Sequence, residues 1–349
     1  MTVPASHPPA DRVVELADLT TLRLGGPVGE LVEAPDEESL VEAVRSADDA
    51  GTPVLLVGGG SNLVVADEGY AGRVVLIRNG GISEESDLCG GAYVEIGAGE
   101  NWDDVVATAV HKGWVGIEAL SGIPGTTGAT PIQNVGAYGQ EVSQTVARVR
   151  TWDRKLRGIR TFAADECSFG YRTSRFKQDP GRFVVLSTTF QLPLGDLGAP
   201  VQYAELAGAL GIRVGERAPA REVRKAALEL RRRKAMVLDP ADHDTWSTGS
   251  FFTNPIVAAD AVPEGAPTWP QSEGLVKTSA AWLIESAGFS KGYGSDRVQL
   301  SSRHTLALTN RGEATTTELL ALAREIQVGV QERFGITLVN EPVLVGCEL

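Results

Sequence analysis

Cysteine and histidine, the side chains that most often bind transition metals, are scarce in this sequence. The 349 residues include three cysteines and four histidines, and no group of them has metal-ligand spacing. Cys89, Cys167 and Cys347 are also too few and too far apart for a disulfide framework. Unpaired cysteines are typical of a reducing compartment. We therefore expect no metal site, no disulfide bond and a cytoplasmic location.

Long apolar runs and an excess of basic residues are also missing. No stretch of about 18 apolar residues could cross a membrane, and residues 1–20 lack the pattern of a signal peptide, so they are interpreted as a loose tail. Lys plus Arg number 32 against 45 Asp plus Glu, which gives a net charge of −13. Because this charge repels phosphate backbones, we expect neither a nucleic-acid partner nor membrane insertion.

The remaining composition is that of a globular protein, with 42% apolar and 22% charged residues. At about 150 residues per domain, the length predicts two or three domains. Glycine is enriched, with 40 copies that cluster in separate loops such as 58–60, 80–81 and 90–91. Glycine lets a backbone approach a ligand closely, so the clusters favour a large ligand held by main chain. For any one cluster taken alone, an ordinary turn of a turn-rich β protein is the favoured interpretation.

Hydrophobic periodicity and capping residues predict the order of the main elements. The predicted helices lie at 36–50, 101–113, 221–234, 279–287 and 315–335, the last with a Thr-x-x-Glu capping box. The predicted strands lie at 53–57, 63–65, 73–77, 93–97, 146–152, 183–191 and 336–345. Segments 116–139 and 195–200 are interpreted as loops, and a loop as long as the first is more often functional than idle.

The glycine turn at 58–60 follows a predicted strand and superficially resembles a dinucleotide-binding fingerprint. Leu63 replaces the third glycine of that fingerprint, and a strand follows where the fingerprint requires a helix. What remains is a turn of successive backbone amides. Such a turn either binds an anion such as a pyrophosphate or is an ordinary tight turn.

Two other patterns carry less weight. Residues 288–292 match the Gly-x-Ser-x-Gly motif of hydrolases, but a predicted helix precedes the serine where a strand is required, so Gly288 is interpreted as a helix cap. The basic run at 221–234 is typical of a solvated helix face, since Glu222 and Glu229 interrupt it. Lys234 at its end could still contact a ligand phosphate.

Three longer strings, at 120–139, 169–177 and 249–255, are more specific. They include a Gly- and Thr-rich loop, a Tyr-Arg-x-Ser motif and a Gly-Ser-Phe-Phe motif. With residues 58–62 and Asn340-Glu341-Pro342, their order and spacing resemble the UDP-N-acetylenolpyruvoylglucosamine reductase (MurB) family of bacterial peptidoglycan synthesis. The resemblance extends over residues 19–346, nearly the whole chain.

This resemblance implies an α+β protein with an FAD-binding fold of the vanillyl-alcohol oxidase type. Two α+β subdomains, 1–78 (with 336–349 returning to it) and 79–215, would enclose FAD. A third α+β domain, 216–335, would bind the substrate. We expect the protein to be a monomer.

The resemblance also implies that two segments contact FAD, the first at its pyrophosphate and the second at its ring system. The matching residues are Gly58, Gly59, Gly60, Ser61, Asn62, Ser121, Gly122, Ile123, Gly125, Thr126, Gly128, Ala129, Gln133, Asn134 and Gly136. Some relatives in the wider fold attach flavin covalently through His or Cys. Neither segment contains these residues, so we expect non-covalent FAD.

The implied reaction has two halves. NADPH reduces FAD, and the enolpyruvyl group of UDP-N-acetylglucosamine enolpyruvate is then reduced to give UDP-N-acetylmuramate. Hydride addition next to a carboxylate builds negative charge, which needs a fixed cation and a proton source. By resemblance, Arg172 is the catalytic arginine, Ser250 the proton donor, and Glu341 the glutamate that supports the intermediate with Arg172.

For the substrate, Lys234 and Asn254 match positions near the UDP diphosphate and sugar. Tyr203 resembles the tyrosine of a mobile loop that covers UDP in the longer subclass of the family. Residues 302–304 resemble a core strand of the third domain, and His304 is assigned no role. Two alternatives remain: an FAD-dependent oxidase of the same fold that acts on a sugar or lactone, and a sugar-nucleotide-binding module without activity. The presence of all three catalytic residue types favours the reductase.

Overall fold

The computed structural model describes residues 14–87 and 90–349, so Cys89 and residues 1–13 of the predicted tail lie outside the described residues. The helices are α1 Glu37–Asp49, α2 Trp102–Lys112, α3 Thr130–Gln133, α4 Arg175–Gln178, α5 Ala204–Leu210, α6 Ala220–Arg233, α7 Ala280–Ser286 and α8 Thr316–Phe334. The first strands are β1 Val28–Ala34, β2 Val54–Val57, β3 Leu63–Val65, β4 Tyr70–Ile77, β5 Ile82–Asp87, β6 Gly91–Gly97, β7 Gly136–Ala137, β8 Gln140–Glu141 and β9 Val146–Asp153. The others are β10 Gly158–Ala163, β11 Phe183–Leu192, β12 Ile256–Ala258, β13 Thr268–Pro270, β14 Leu275–Thr278, β15 Val298–Leu300, β16 Leu308–Asn310 and β17 Val343–Val345.

The first part of the chain forms a parallel sheet in the order β1-β4-β2, with α1 packed against it. Asp36 begins α1 by accepting a hydrogen bond from the Ser39 amide at 2.8 Å. Leu40 and Val44 are fully buried on the helix face that packs against Val75 of β4. This amphipathic pattern fixes which side of the helix meets the sheet.

The second sheet is antiparallel, in the order β10-β9-β11-β6-β5. Successive side chains point to opposite sides of a strand, and nearly all side chains of the central strand β11 are buried. Both faces of β11 are therefore covered. Val184 and Leu186 pack on the α1 side of the molecule, whereas Val185 and Phe190 pack with Trp102 of α2. The second sheet therefore lies between the α1 layer and the α2 layer.

The C-terminal part is built around α7, α8 and the hairpin β15–β16, with Phe251 and Phe252 in the same apolar core. The predicted capping box is present at the start of α8, where Thr315 and Glu318 each hydrogen-bond to the other's backbone amide. Gly335 ends the helix in the left-handed conformation at φ +69. A small sheet, β12-β14-β13, lies at the edge of this core, against which Val257 of β12 packs.

The end of the chain returns to the first part, because β17 pairs in parallel with β3. The predicted strand at 336–345 is wrong over residues 336–342, where the chain has no strand of its own. Residues 339–341 instead form isolated backbone hydrogen bonds with the segment after Ser250. In one of them the Glu341 amide donates to the Phe251 carbonyl at 2.8 Å. The predicted domain limits stay a prediction.

The other helix predictions are confirmed to within two residues at each end, including the Asn101 cap and the Gly113 end of α2. The predicted strand at 302–304 is wrong, because these residues form the turn between β15 and β16. The loop predicted at 116–139 contains short helical turns and α3. Strands β1, β5, β7, β8, β10 and β12 to β16 were not predicted. In the described ranges, no helix combines the length and the apolar character that a membrane span requires.

Candidate active site

A cavity of about 1310 Å³ lies where the conspicuous loops of the sequence meet. Its wall includes the glycine turn at 58–62, much of the segment 123–141, the segment around Arg172, most of residues 245–250 and residues 340–344. This volume exceeds the roughly 300–1,000 Å³ of common small-molecule sites, so the cavity can hold more than one ligand group.

The glycine turn is held between two neighbouring backbones. A Cβ atom added at Gly58 would lie 2.3 Å from Thr126 Oγ1, and one added at Gly59 would lie 2.7 Å from Gly125 Cα. One added at Gly60 would lie 1.9 Å from the Leu19 carbonyl oxygen. Glycine is therefore required at Gly59 and Gly60, where the obstacle is backbone, whereas at Gly58 the obstacle is the Thr126 hydroxyl. Across the described ranges, the backbone amides of residues 59–62 meet no hydrogen-bond acceptor, so they remain available to an anion.

The second predicted cofactor segment divides into residues that line the cavity and residues that hold the loop in place. Ile123, Gly125, Thr126, Ala129, Gln133 and Gly136 line the cavity. Ser61 ties this segment to the glycine turn by donating from Oγ to the Pro124 carbonyl at 3.1 Å. The two predicted cofactor segments are thus in direct contact.

Ser121, Gly122, Gly128 and Asn134 do not reach the cavity wall, and each is engaged inside the protein. Ser121 Oγ donates to the Glu118 carbonyl at 2.6 Å, and the Gly122 amide donates to Asp103 at 2.6 Å. A Cβ at Gly128 would lie 2.5 Å from Ala98. Asn134 Nδ2 donates to Glu141 and to the Gly170 carbonyl, both at 2.9 Å. Cofactor contact by these four residues stays a prediction.

Arg172 lies at the charged end of the cavity, in the left-handed conformation at φ +53. Its Nε is 3.0 Å from Oε1 of Glu341, and its Nη2 donates to the Gly136 carbonyl at 3.0 Å. Both side chains of this ion pair are mostly buried, at 22% and 16% exposure. A backbone conformation that costs energy for a non-glycine residue is often associated with a functional position.

Two residues extend the Arg172–Glu341 pair into a network. Gln133 donates from Nε2 to Glu341 Oε1 at 3.1 Å, and its Oε1 accepts from Lys177 Nζ at 2.9 Å. Lys177 also donates to the Arg172 carbonyl at 3.1 Å. Burial lowers the pKa of the Lys177 amine, while the nearby Glu341 raises it and Arg172 lowers it.

Ser250 also lines the cavity, and backbone pairing holds it next to Glu341. Phe251, the residue after Ser250, accepts a hydrogen bond from the Glu341 amide at 2.8 Å and donates its own amide to Leu306 at 2.7 Å. The structure therefore brings all three predicted catalytic residues to one end of the cavity.

Tyr171 and Lys277 stand beside this network. Lys277 Nζ lies 4.5 Å from the centre of the Tyr171 ring, and burial lowers the pKa of the lysine and raises the pKa of the phenol. The Tyr171 hydroxyl accepts from the Asn254 amide at 3.3 Å. Asn254 Oδ1 accepts from the Ala280 amide at the start of α7 at 3.0 Å, so this predicted substrate residue lines the cavity with its oxygen already bonded.

The predicted substrate residues Tyr203 and Lys234 form a separate cluster on the cavity wall. The Tyr203 ring packs edge-on against Tyr138 with centres 5.8 Å apart, and Lys234 Nζ lies 5.8 Å from the Tyr138 ring. Lys234 pairs with Glu205 at 2.5 Å. Tyr203 immediately precedes α5 and is 42% exposed, so its ring is open to solvent on one side.

His304 and Arg231 line the cavity near Lys234. Burial, with smaller contributions from Lys234, Lys291 and Arg231, lowers the pKa of His304 to about 4. Burial also lowers the pKa of Arg231 to about 10. The Arg231 Nε atom is buried and meets no acceptor in the described part of the chain. This wall is therefore rich in positive charge.

Comparison with known proteins identifies the family. Residues 239–345 match the C-terminal domain of UDP-N-acetylenolpyruvoylglucosamine reductase, and residues 30–155 match the FAD binding domain. The reductase of that name from Cutibacterium acnes is 54% identical over 339 residues, covering 96% of this chain and 90% of the relative. The one from Streptomyces avermitilis is 55% identical over 351 residues, covering 96% and 94%. This chain belongs to the MurB family.

A solved member of the MurB family has the same fold. The crystal structure of MurB from Thermus caldophilus aligns with a TM-score of 0.61 and 27% identity, covering 96% of this chain and 99% of that chain. Together with the FAD binding domain match, this likeness confirms the predicted α+β, FAD-binding fold class. The placement of this chain in the longer subclass, whose mobile loop carries a substrate-covering tyrosine, stays a prediction.

The cavity fits the FAD that MurB family membership implies. The unbonded amides at 59–62 suit its pyrophosphate, and the Ser61 hydroxyl fixes the glycine turn against the segment 124–126. The cavity also continues from this turn to Arg172 and Glu341. One volume can therefore hold a dinucleotide beside the charged network.

Sequence reasoning did not assign several residues of this MurB site. Tyr171 and Lys177 both lie in the string 169–177 that contains the Tyr-Arg-x-Ser motif, and this position could have indicated them. Tyr138 stands in the Gly- and Thr-rich loop, whereas Lys277 lies in no string that drew attention. Gln133 was predicted to contact FAD, but its hydrogen bonds connect Glu341 to Lys177.

Proposed function

We propose that this chain reduces UDP-N-acetylglucosamine enolpyruvate to UDP-N-acetylmuramate, with non-covalent FAD and with NADPH as the reductant. The observation that carries the proposal is the ion pair of Arg172 and Glu341 next to Ser250, in the cavity that the glycine turn lines. The names of the relatives, at 54% and 55% identity over nearly the whole chain, support the same reaction.

When bound, FAD would supply the hydride for the enolpyruvyl group. In the proposal, the amides of residues 59–62 hold its pyrophosphate, and Ile123, Gly125 and Thr126 pack against it. Neither segment contains a His or Cys that could form a covalent bond to the flavin.

Arg172 is proposed to bind the enolpyruvyl carboxylate and to stabilise the negative charge that builds next to it. Its guanidinium stays charged and offers several donors in one plane, which suits a carboxylate. The Glu341 ion pair and the Gly136 carbonyl hold this side chain at the cavity wall before the substrate arrives. Pre-positioned charge of this kind costs no reorganisation at the moment of reaction.

Ser250 is proposed to give the proton that completes the reduction. A serine hydroxyl is a weak acid, but a carbanion-like carbon next to a carboxylate is a strong enough base to take its proton. Ser250 stands on the segment that pairs with Glu341, so the proton donor and the charged pair would contact the same three-carbon group.

Lys234, Tyr203 and Asn254 are proposed to contact the UDP part of the substrate. The Tyr203 and Tyr138 rings offer an apolar surface at the cavity mouth, and Lys234 would exchange Glu205 for a phosphate oxygen. This arrangement also supports placing the chain in the subclass with a substrate-covering tyrosine. A monomer in the cytoplasm remains part of the proposal.

Anaerobic mixing in two steps tests the proposed function. NADPH should bleach the yellow protein, and UDP-N-acetylglucosamine enolpyruvate should then restore the colour. Ser250→Ala should leave the first step intact and slow the second by about 10²-fold or more, as loss of a proton donor does. Ser272→Ala, an exposed serine outside the cavity, is the matched control.

Other outcomes would point elsewhere. Normal recolouring in Ser250→Ala would show that another group gives the proton. Rapid turnover with oxygen and a sugar, without NADPH, would favour the oxidase alternative. A colourless protein that cannot be reconstituted with FAD would overturn the proposal.

A further inference from the structure

Lys177 is the least expected member of the charged network. Its amine is half-buried and donates to two uncharged oxygens, Gln133 Oε1 at 2.9 Å and the Arg172 carbonyl at 3.1 Å. In the described part of the chain it forms no ion pair within 4.0 Å of a carboxylate, although Glu341 is close enough to raise its pKa. A half-buried lysine without a direct counter-ion needs a reason beyond simple charge neutralisation.

The lysine decides which way the amide of Gln133 faces. An ammonium group can only donate hydrogen bonds, so the Gln133 end next to Lys177 must be the carbonyl oxygen. The opposite end is then the NH₂ group, and it donates to Glu341 Oε1 at 3.1 Å. A reversed amide would set its NH₂ against the ammonium and its oxygen against the carboxylate, and both contacts would be repulsive.

The orientation of Gln133 in turn distinguishes the two oxygens of Glu341. Oε1 receives the Gln133 donor and lies 3.0 Å from Arg172 Nε, so it cannot itself carry a proton toward either group. Oε2 accepts no hydrogen bond within residues 14–87 and 90–349. A proton held by Glu341, or a hydrogen bond from the substrate, therefore belongs at Oε2.

Lys177 also supports Arg172 through the backbone. The Arg172 carbonyl that it binds belongs to a residue in the left-handed conformation, which an L-residue adopts at a cost. Ser174 adds a parallel tie, because its Oγ donates to the Ile132 carbonyl at 2.8 Å. The two loops that carry Arg172 and Gln133 are thus joined at two points.

We propose that Lys177 is a positioning residue that, through Gln133, presents Oε2 of Glu341 to the substrate while holding the Arg172 backbone in place. The proposal rests on the proposed function, since it assigns the orientation of groups that act in that reaction. It assigns Lys177 no direct contact with the substrate or FAD.

The test compares Lys177→Met, Lys177→Arg and Gln133→Met. Lys177→Met should slow recolouring by the enolpyruvyl substrate by about 10²-fold, the usual cost of a reactive group misplaced by about 1 Å. Its KM should stay near the wild-type value, and bleaching by NADPH should be unchanged. Lys177→Arg, which keeps a donor, should recover much of the rate. Lys155→Met, a surface lysine paired with Asp179, is the matched control.

A double variant and a crystal structure give readouts that a general structural role would not move. Lys177→Met with Gln133→Met should be no slower than the worse single variant, because both act through one chain of bonds. The Lys177→Met crystal structure should show Gln133 Nε2 withdrawn from Glu341, beyond hydrogen-bond distance.

Several results would overturn the inference. Wild-type rates in Lys177→Met, additive losses in the double variant, or an unmoved Gln133 amide would each do so. A lower unfolding temperature with equal losses in kcat and binding would show that Lys177 only holds the loop. If the wild-type protein itself fails to recolour with the substrate, the proposed function fails instead, so the two failures are distinguishable.

Discussion

The glycine turn at 58–62 and the charged network around Glu341 line the same cavity, but the first presents main-chain groups and the second presents side chains. The glycine turn offers main-chain amides, and Gly59 and Gly60 leave no room for a side chain, because backbone atoms lie 2.7 Å and 1.9 Å from where their Cβ atoms would stand. The charged network consists of side chains from three distant segments, joined by an ion pair and hydrogen bonds. The glycine turn depends on the absence of side-chain atoms, whereas the charged network depends on the orientation of its side chains.

This difference predicts how each wall fails. Adding a single carbon at Gly59 or Gly60 should disturb the fold and the cofactor together, because the clash is with backbone that cannot move aside. Changing a side chain in the charged network should leave the fold and the cofactor intact and remove chemistry.

Arg172→Lys should abolish most turnover while FAD content stays normal. A lysine cannot reproduce the planar set of donors, and removing one pre-positioned donor from a developing anion costs about 10²–10³-fold in rate. Steady-state kinetics and the flavin absorbance per protein measure the two effects. Arg157→Lys is the control, since Arg157 has a similar φ of +54 and pairs with Asp49 at the surface. Normal turnover in Arg172→Lys would break the contrast between the walls.

Gly60→Ala should lower both the free energy of unfolding and the FAD content. Its Cβ would lie 1.9 Å from the Leu19 carbonyl oxygen. Gly51→Ala is the control, because Gly51 has a similar positive φ, +67 against +62, with nothing within 4 Å of its Cβ. Left-handed strain is common to both variants, so the difference between them, on the order of 1–3 kcal/mol in urea unfolding, measures the clash alone. Equal losses would show that space does not limit this wall.

His304 tests how the charged side of the cavity responds to added positive charge. Burial lowers its pKa to about 4 from an ordinary value of 6.5, so the folded protein binds this proton less readily than the unfolded chain. The contribution to stability is therefore greatest above pH 6.5 and is lost as the pH falls from 6.5 toward 4. Thermal unfolding from pH 7.5 to 4.5 should show a steeper fall for wild type than for His304→Asn. Parallel curves would contradict this.

Tyr203→Phe should have the smallest effect. The ring contact with Tyr138 is kept, and the variant loses at most one hydrogen bond to the substrate. A net cost of about 1 kcal/mol corresponds to a rise in KM of about fivefold, with kcat unchanged. Tyr93→Phe, on β6 and outside the cavity wall, is the control. A large fall in kcat would place Tyr203 in the chemistry and not only at the cavity mouth.

Helix limits were predictable because their signals are local. The side chains of Asp36, Asn101 and Thr315 each accept a hydrogen bond from the backbone amide three residues later. Gly113 and Gly335 each end a helix in the left-handed conformation. Such interactions are decided within one helical turn. The family strings were equally readable, since they are long and uncommon.

Strands and side-chain directions were less predictable, because distant partners decide them. The strand predicted at 336–345 shortened to Val343–Val345, since only these residues meet β3. Gln133 and Asn134 are neighbours in one string and were predicted alike. One lines the cavity and the other cross-links the loop at φ +45. The left-handed conformation of Asn134 points its side chain away from that of Gln133. This conformation is stabilised by hydrogen bonds from Asn134 to Glu141 and Gly170.

The family, the helices with their caps, and the residue types of the candidate site could therefore be read from the order of residues alone. The contact of Gln133 with Glu341 across 208 positions of chain, and the direction that Lys177 gives it, are visible only in the folded protein. These two kinds of feature differ in the sequence distance over which they are set. A cap is chosen by neighbours within four residues, whereas the orientation of an amide between a lysine and a carboxylate exists only after three separate segments have packed together.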